Sequence, residues 1–206
     1  FKDPGGAVTG VVLPTGKARE KIDFNGVELD CSIVDAGTLY TYVRAASVGL
    51  RGDESPLALD DDRAFKALIE SLRSVVTRHV NGCLEDNRKI HAGNVKVAIV
   101  SDPDDLEPSG SVCDIVSRII NPVKTHKAFA ISGAVCLGAA AFLDGTLVNE
   151  IVTLRGSGDS VRVGHPSGVM EVITRRVRRG GDIHIHAAEV HRSARILMKG
   201  TAFVSL

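Results

Sequence analysis

A helix with no polar face constrains this chain more than any other feature. The spacing predicts a helix over 132–143, and residues 133–142 within it read Gly-Ala-Val-Cys-Leu-Gly-Ala-Ala-Ala-Phe. A helix that is apolar all round is surrounded by protein. Its small side chains imply close approach by neighbouring segments, and the rest of the chain is rich in strand-like runs. The expected fold class is therefore α+β, with sheet curled about this central buried helix.

Strands are expected over 21–29, 31–34, 38–45 and 95–100, and over 112–120, where Asp114 and Arg118 interrupt the apolar run. After the buried helix, strands are expected over 146–152, 160–163, 168–177, 182–190 and 195–204. Residues 2–17, rich in Gly and Pro, read as a loop, a short strand and another loop. A second helix over 62–80 carries Phe65, Leu68, Ile69, Leu72, Val75, Val76 and Val80 at helical spacing, so it lies outside with one face inward. Asp60, Asp61 and Asp62 supply its N-cap and first-turn charge, and Asn81-Gly82 stops it.

Composition excludes several classes. The 206 residues fit one large or two small domains. Twenty-five basic residues balance 25 acidic ones, so no field favours nucleic acid or a membrane surface. The one basic cluster, Arg175-Arg176-Val177-Arg178-Arg179, reads as a solvated edge strand. No run approaches the roughly 18 apolar residues of a membrane span. Cys31, Cys83, Cys113 and Cys136 are widely separated, which argues for reduced thiols in a cytoplasmic protein. The first residue is Phe1, and the opening residues read like the inside of a domain, so a fragment or a processed product is expected.

Three glycine-marked places offer donors to an anion. Gly164-His165-Pro166-Ser167-Gly168 is a tight turn between alternating runs, with a His ring, a hydroxyl and successive backbone N–H groups. It reads equally as a structural hairpin or an anion-binding concavity. Ser132 is a natural N-cap for the buried helix, and Gly133 lets a ligand approach the unpaired N–H groups there. The alternative is that Ser132 caps its own helix and nothing binds. Thr15-Gly16-Lys17 supplies a hydroxyl, a backbone donor and a cation, but lacks nucleotide-loop spacing. His184 and His186 share one strand face; without an accompanying Cys or carboxylate pattern they read as surface histidines rather than metal ligands. Cys136 falls inside the buried helix and reads as inert core.

Several motifs, in order, resemble one family. They are Phe1 to Gly10 with Leu13-Pro14-Thr15-Gly16, Val34-Asp35-Ala36-Gly37-Thr38, His126-Lys127-Ala128, the run Ser132 to Cys136, the turn Gly164 to Gly168, and Arg192 to Gly200. Together they are similar to the 2-methylaconitate cis–trans isomerases and their methylitaconate, oxalomesaconate and aconitate isomerase relatives. The resemblance implies a diaminopimelate epimerase-like fold: a curled, mostly antiparallel sheet around a central helix, with the site between two such domains. It implies residues 1–30 as the closing segment of an otherwise absent first domain, and residues 31–206 as the second, with a crossover at the C-terminal end.

The resemblance further implies isomerisation of small unsaturated di- or tricarboxylates by allylic proton transfer, without metal or organic cofactor. Ser132, Gly133 and Ala134 would hold one carboxylate; His165, Pro166, Ser167 and Gly168 another. Asp35 and Thr38, with Thr15 and Gly16, would line the cleft. Where the family usually has Asn-Pro, this chain has Thr38-Leu39, a departure at a place where the resemblance implies a direct substrate contact. The family's acid/base Lys and Cys belong to the first domain, so this chain would supply the carboxylate-binding half. Its expected partners are the substrate and the first domain or a second copy, with no nucleic acid and no membrane. The alternatives are an amino-acid epimerase or racemase on the same fold, and a non-catalytic half that binds an anion or another chain.

Overall fold

Among the described residues, eight strands lie in chain order in one sheet: β1 (Glu20–Phe24), β2 (Val27–Asp35), β3 (Leu39–Arg44), β4 (Val95–Ser101), β5 (Ile115–Ile120), β6 (Ser160–His165), β7 (Gly168–Arg179) and β8 (Asp182–Val190). This computed structural model describes residues 1–206 apart from 25, 86–88, 104–112, 123, 153–157, 181, 192–194, 202 and 205–206. Only β3–β4 and β5–β6 pair in parallel; the other five pairings are antiparallel. The expected curled, mostly antiparallel sheet is therefore present. Its helices are α1 (Pro56–Asp61), α2 (Arg63–Cys83), α3 (Ile131–Phe142) and α4 (Leu147–Ile151).

Strand alternation divides the core in two. Cys31, Ile33, Leu39, Val43, Val95, Val97 and Ile99 point to the face that α2 covers with Phe65, Ile69, Leu72, Val76 and Val80. Val34, Tyr40, Tyr42, Ala98 and Val100 point to the other face, toward α3. β6, β7 and β8 continue around α3 and pack on it from the far side. Glycine at 138 lets this enclosure be tight. A Cβ on Gly138 would stand 2.8 Å from Thr174 Oγ1 and 3.0 Å from both Val172 methyls. The curl is completed by residues 1–6. Phe1 exchanges two hydrogen bonds with Ala188, each 2.9 Å, and the Gly6 N–H donates to Asp35 O at 2.8 Å.

Several boundaries differ from the sequence reading. Residues 146–152 form α4 rather than a strand. Val148 and Ile151 favour strand, but Thr146 caps a helix by accepting from Asn149 N at 3.0 Å and donating to Ala140 O at 2.6 Å. Thr146→Ala is expected to cost about 1–2 kcal/mol in urea unfolding. An unchanged midpoint would show this buried cap to be redundant. Residues 50–62 contain a further helix, α1, started by Ser55 and Pro56, and Asp62 caps α2 through Phe65 N at 2.9 Å. α2 also runs past Asn81-Gly82 to Cys83. β2 passes unbroken through Asp30, so the hairpin break falls after Phe24 and one sheet spans residue 30. No strand forms within residues 2–17, which are drawn into turns by bonds to Asp35.

The expected strand over 195–204 is absent from the described residues there. Ile196, Leu197, Met198, Phe203 and Val204 are exposed, and residues 202 and 192–194 lie outside the description, as does residue 112 of the expected 112–120 strand. The outer edge of β8, where another strand would add, is occupied at Ala187 by Lys2. The arginine cluster lies on β7, which is flanked by β6 and β8 and is not an edge. Arg176 sits over the Phe142 ring and pairs with Asp159 at 2.9 Å, and Arg178 pairs with Asp144 at 2.9 Å. These charges are matched locally rather than offered to an anion. Among the described residues, no helix is long and apolar enough to cross a membrane.

Candidate functional site

β5 delivers the chain to the start of α3 through a short, bonded approach. His126 N donates to Ile119 O at 2.9 Å, Thr125 N to Asp60 Oδ1 at 2.7 Å, and Ala128 N to His126 Nδ1 at 3.1 Å. The helix then begins at Ile131, not after Ser132. Its N-cap is Ala130, in extended conformation, and no side chain caps it. Ser132 is one residue inside the first turn, so the expected capping role is corrected. Ala134 N bonds to Ala130 O at 2.9 Å, which leaves Ile131, Ser132 and Gly133 to present the first-turn N–H groups.

The Gly164–Gly168 turn comes to this same place. Pairing of His165 with Gly168 makes Pro166-Ser167 a two-residue hairpin loop. The Ser167 hydroxyl donates to Lys127 O at 2.6 Å, and the His165 ring stacks on Phe129 with centroids 6.1 Å apart. Hairpin and helix approach are thus joined across 40 residues of sequence. The junction also engages donors that the sequence counted as free. Ser167 N–H donates to His165 Nδ1 at 3.2 Å, so Nε2 carries the proton of the neutral ring and is the donor left to that side chain.

The His165 pKa lies below its ordinary 6.5, chiefly through burial and then through the nearby Arg118 and His126 charges. As pH falls, the unfolded chain takes up this proton before the folded one does. His165 therefore contributes stability above pH 6.5 that is lost on acidification below it. Thermal midpoints at pH 7.5 and 5.5 should fall further apart in the parent than in His165→Gln; equal spacing would refute the coupling.

The remaining expected site residues divide. Gly37 lies on α3, where a Cβ would touch Val135 Cγ1 at 3.4 Å, a turn past the helix start, and its neighbour Thr38 is half-buried. Asp35, expected to line the cleft, is 0% exposed. Its Oδ2 accepts from Val8 N at 2.8 Å, Thr9 N at 2.6 Å and Thr9 Oγ1 at 2.8 Å. Thr15 and Gly16 are carried elsewhere. Thr15 Oγ1 donates to Glu20 Oε1 at 2.6 Å, Glu20 also meets His79 Nε2, and both expected residues line a cavity of about 550 Å³ with Cys83 and Leu84.

His184 and His186 are exposed on β8, and no group of three or more His, Cys, Asp or Glu side chains suited to a metal occurs among the described residues. Cys136 is fully buried, with its thiol donating to Val34 O at 3.3 Å and burial pushing its pKa up to about 12. One neighbour of the helix start escaped the sequence reading: Tyr40 on β3, whose hydroxyl lies against Gly133. Its alternation marks it as inward-facing, but only the pairing of β3 beside α3 selects its neighbour.

Comparison with known proteins places this arrangement. The chain is 30% identical over 213 residues to the 3-methylitaconate isomerase of Eubacterium barkeri, covering 99% of this chain and 55% of that protein. It is 28% identical to the 2-methyl-aconitate isomerase of Shewanella oneidensis, over 93% of this chain and 50% of that protein. It thus spans about half the length of these curated relatives. A crystal structure of a methylitaconate-delta-isomerase superposes with a TM-score of 0.74 at 28% identity, covering 93% of this chain and 52% of that one. A probable proline racemase from Agrobacterium radiobacter, 14% identical with a TM-score of 0.55, shares the fold. The model of the PrpF protein family matches residues 1–205, and the chain belongs to that family.

Proposed function

We propose that this chain is the carboxylate-binding half of an isomerase that moves a proton on small unsaturated di- or tricarboxylates, of the aconitate or methylaconitate type. The observation that carries the reading is the uncapped start of α3 held against the His165–Gly168 hairpin by the Ser167–Lys127 bond. Names of the relatives, methylitaconate and methylaconitate isomerases, support the substrate class.

The chemistry follows from charge. A substrate with several carboxylates needs several donors, and the N–H groups of Ile131, Ser132 and Gly133 supply a fixed set at the positive end of a helix dipole. Neutral His165 adds Nε2–H from the hairpin side. Such donors stabilise the dienolate-like charge that develops when an allylic proton leaves. The groups that take and return the proton belong, in this reading, to a first domain beyond this chain. The amino-acid racemase alternative needs a reactive thiol at the helix start. Cys136 lies more than a turn inside α3 with its pKa raised, which disfavours it.

Thermal unfolding of the full-length protein with trans-aconitate tests the reading. At a 100-fold excess over Kd the ligand contributes about 2.7 kcal/mol, a shift of several degrees. No shift with any di- or tricarboxylate would sink it, and a shift with proline alone would favour the racemase reading.

A further inference from the structure

Tyr40 stands where a polar side chain has no structural employment. It is 2% exposed, and its ring stacks on Tyr42 with centroids 5.8 Å apart and planes 21° from parallel. Its hydroxyl oxygen lies 2.9 Å from the point a Gly133 Cβ would occupy, directly against the first turn of α3. Among the described residues that hydroxyl has no hydrogen-bond partner, and it is not one of the polar atoms sealed wholly from solvent. Buried tyrosine hydroxyls ordinarily find a partner. Here the adjacent feature is the start of α3, which has no side-chain cap, whereas Thr146 caps the start of α4 in the same core. Tyr42, two residues on, is sealed deeper along the helix near Cys136, where its hydroxyl also lacks a hydrogen-bond partner among the described residues; what sets Tyr40 apart is its place against the helix start.

We propose that Tyr40 is a substrate-binding residue whose hydroxyl donates to the carboxylate held by the first-turn N–H groups of α3. The inference rests on the carboxylate reading above and adds a side-chain donor to it. Burial raises the phenol's pKa, so the group remains a neutral donor throughout the working pH range. A neutral donor suits the place: it strengthens the hold on a carboxylate without burying a second charge. Glycine at 133 is what lets the hydroxyl reach the helix, because a side chain there would occupy the same space.

The test compares the full-length protein with its Tyr40→Phe and Tyr42→Phe variants, using calorimetric titration with trans-aconitate and unfolding of the ligand-free forms. Tyr40→Phe keeps the stacked ring, so its ligand-free unfolding midpoint should match the parent while its affinity falls about tenfold or more. Tyr42→Phe should bind as the parent does. In fluorotyrosine-labelled protein, the fluorine resonance that Tyr40→Phe removes should shift when ligand is added. If the parent binds and Tyr40→Phe binds equally well, the Tyr40 proposal is overturned and the carboxylate reading stands. If the parent binds no tricarboxylate, both are overturned.

Discussion

Replacing Asp35 with alanine is expected to cost about 3–5 kcal/mol of folding stability, because it leaves the buried donors gathered around its carboxyl without an acceptor. Val8 N, Thr9 N and Thr9 Oγ1 all converge on Oδ2, and Thr9 is itself buried. The backbone of Asp35 adds two more ties, accepting from Gly6 N at 2.8 Å and donating to Val12 O at 2.9 Å. This one residue therefore pins residues 6–12 to the end of β2. Asp35→Asn keeps an acceptor of the same shape and should lose about 1–2 kcal/mol. Hydrogen exchange at the Val8 and Thr9 amides should accelerate in the alanine variant in step with the stability loss. A change in substrate affinity at unchanged stability would instead restore Asp35 to the cleft.

Gly133→Val is expected to weaken tricarboxylate binding by about 100-fold in the full-length protein, since displacements near 1 Å at a site of fixed donors have effects of that size. A Cβ at 133 would stand 2.5 Å from Ile119 Cδ1 and 2.9 Å from Tyr40 Oη, so the first turn of α3 must move. Overpacking should also cost about 1–3 kcal/mol of stability, offset by up to about 1 kcal/mol because glycine in a helix is entropically unfavourable. Two companions separate binding from packing. Gly138→Ala crowds Thr174 and Val172 in the middle of the same helix and should destabilise without touching affinity. Ser132→Ala removes a hydroxyl but leaves the backbone N–H, so affinity should change by no more than a few-fold. Equal losses of affinity in Gly133→Val and Gly138→Ala would show that the helix start has no special part in binding.

How far the sequence reached depended on the range over which each feature is set. The apolar helix, the amphipathic α2 and the hairpin at 165–168 are local patterns, and all three are where periodicity and turn chemistry put them. Local pattern failed at 146–152, where apolar β-branched residues argued for strand and a threonine cap with burial on both sides decided for helix. It failed again at 195–204, where the apolar run stays exposed and pairs with no strand among the described residues. The arginine run on β7 was misplaced for a related reason: an edge strand is defined by its neighbours, not by its own residues.

By itself, then, the sequence determined that a helix without a polar face must be wrapped by sheet, and fixed its start to within two residues. It did so because burial of apolar surface follows from the residues alone. The tertiary structure decided which polar groups meet there. It turned Asp35 inward to hold a loop, sent Thr15 and Gly16 to a separate cavity, tied Ser167 to Lys127, and set Tyr40 against Gly133. Those meetings depend on strand register and on the angle at which the sheet curls around α3, and neither is written in any local stretch of the chain.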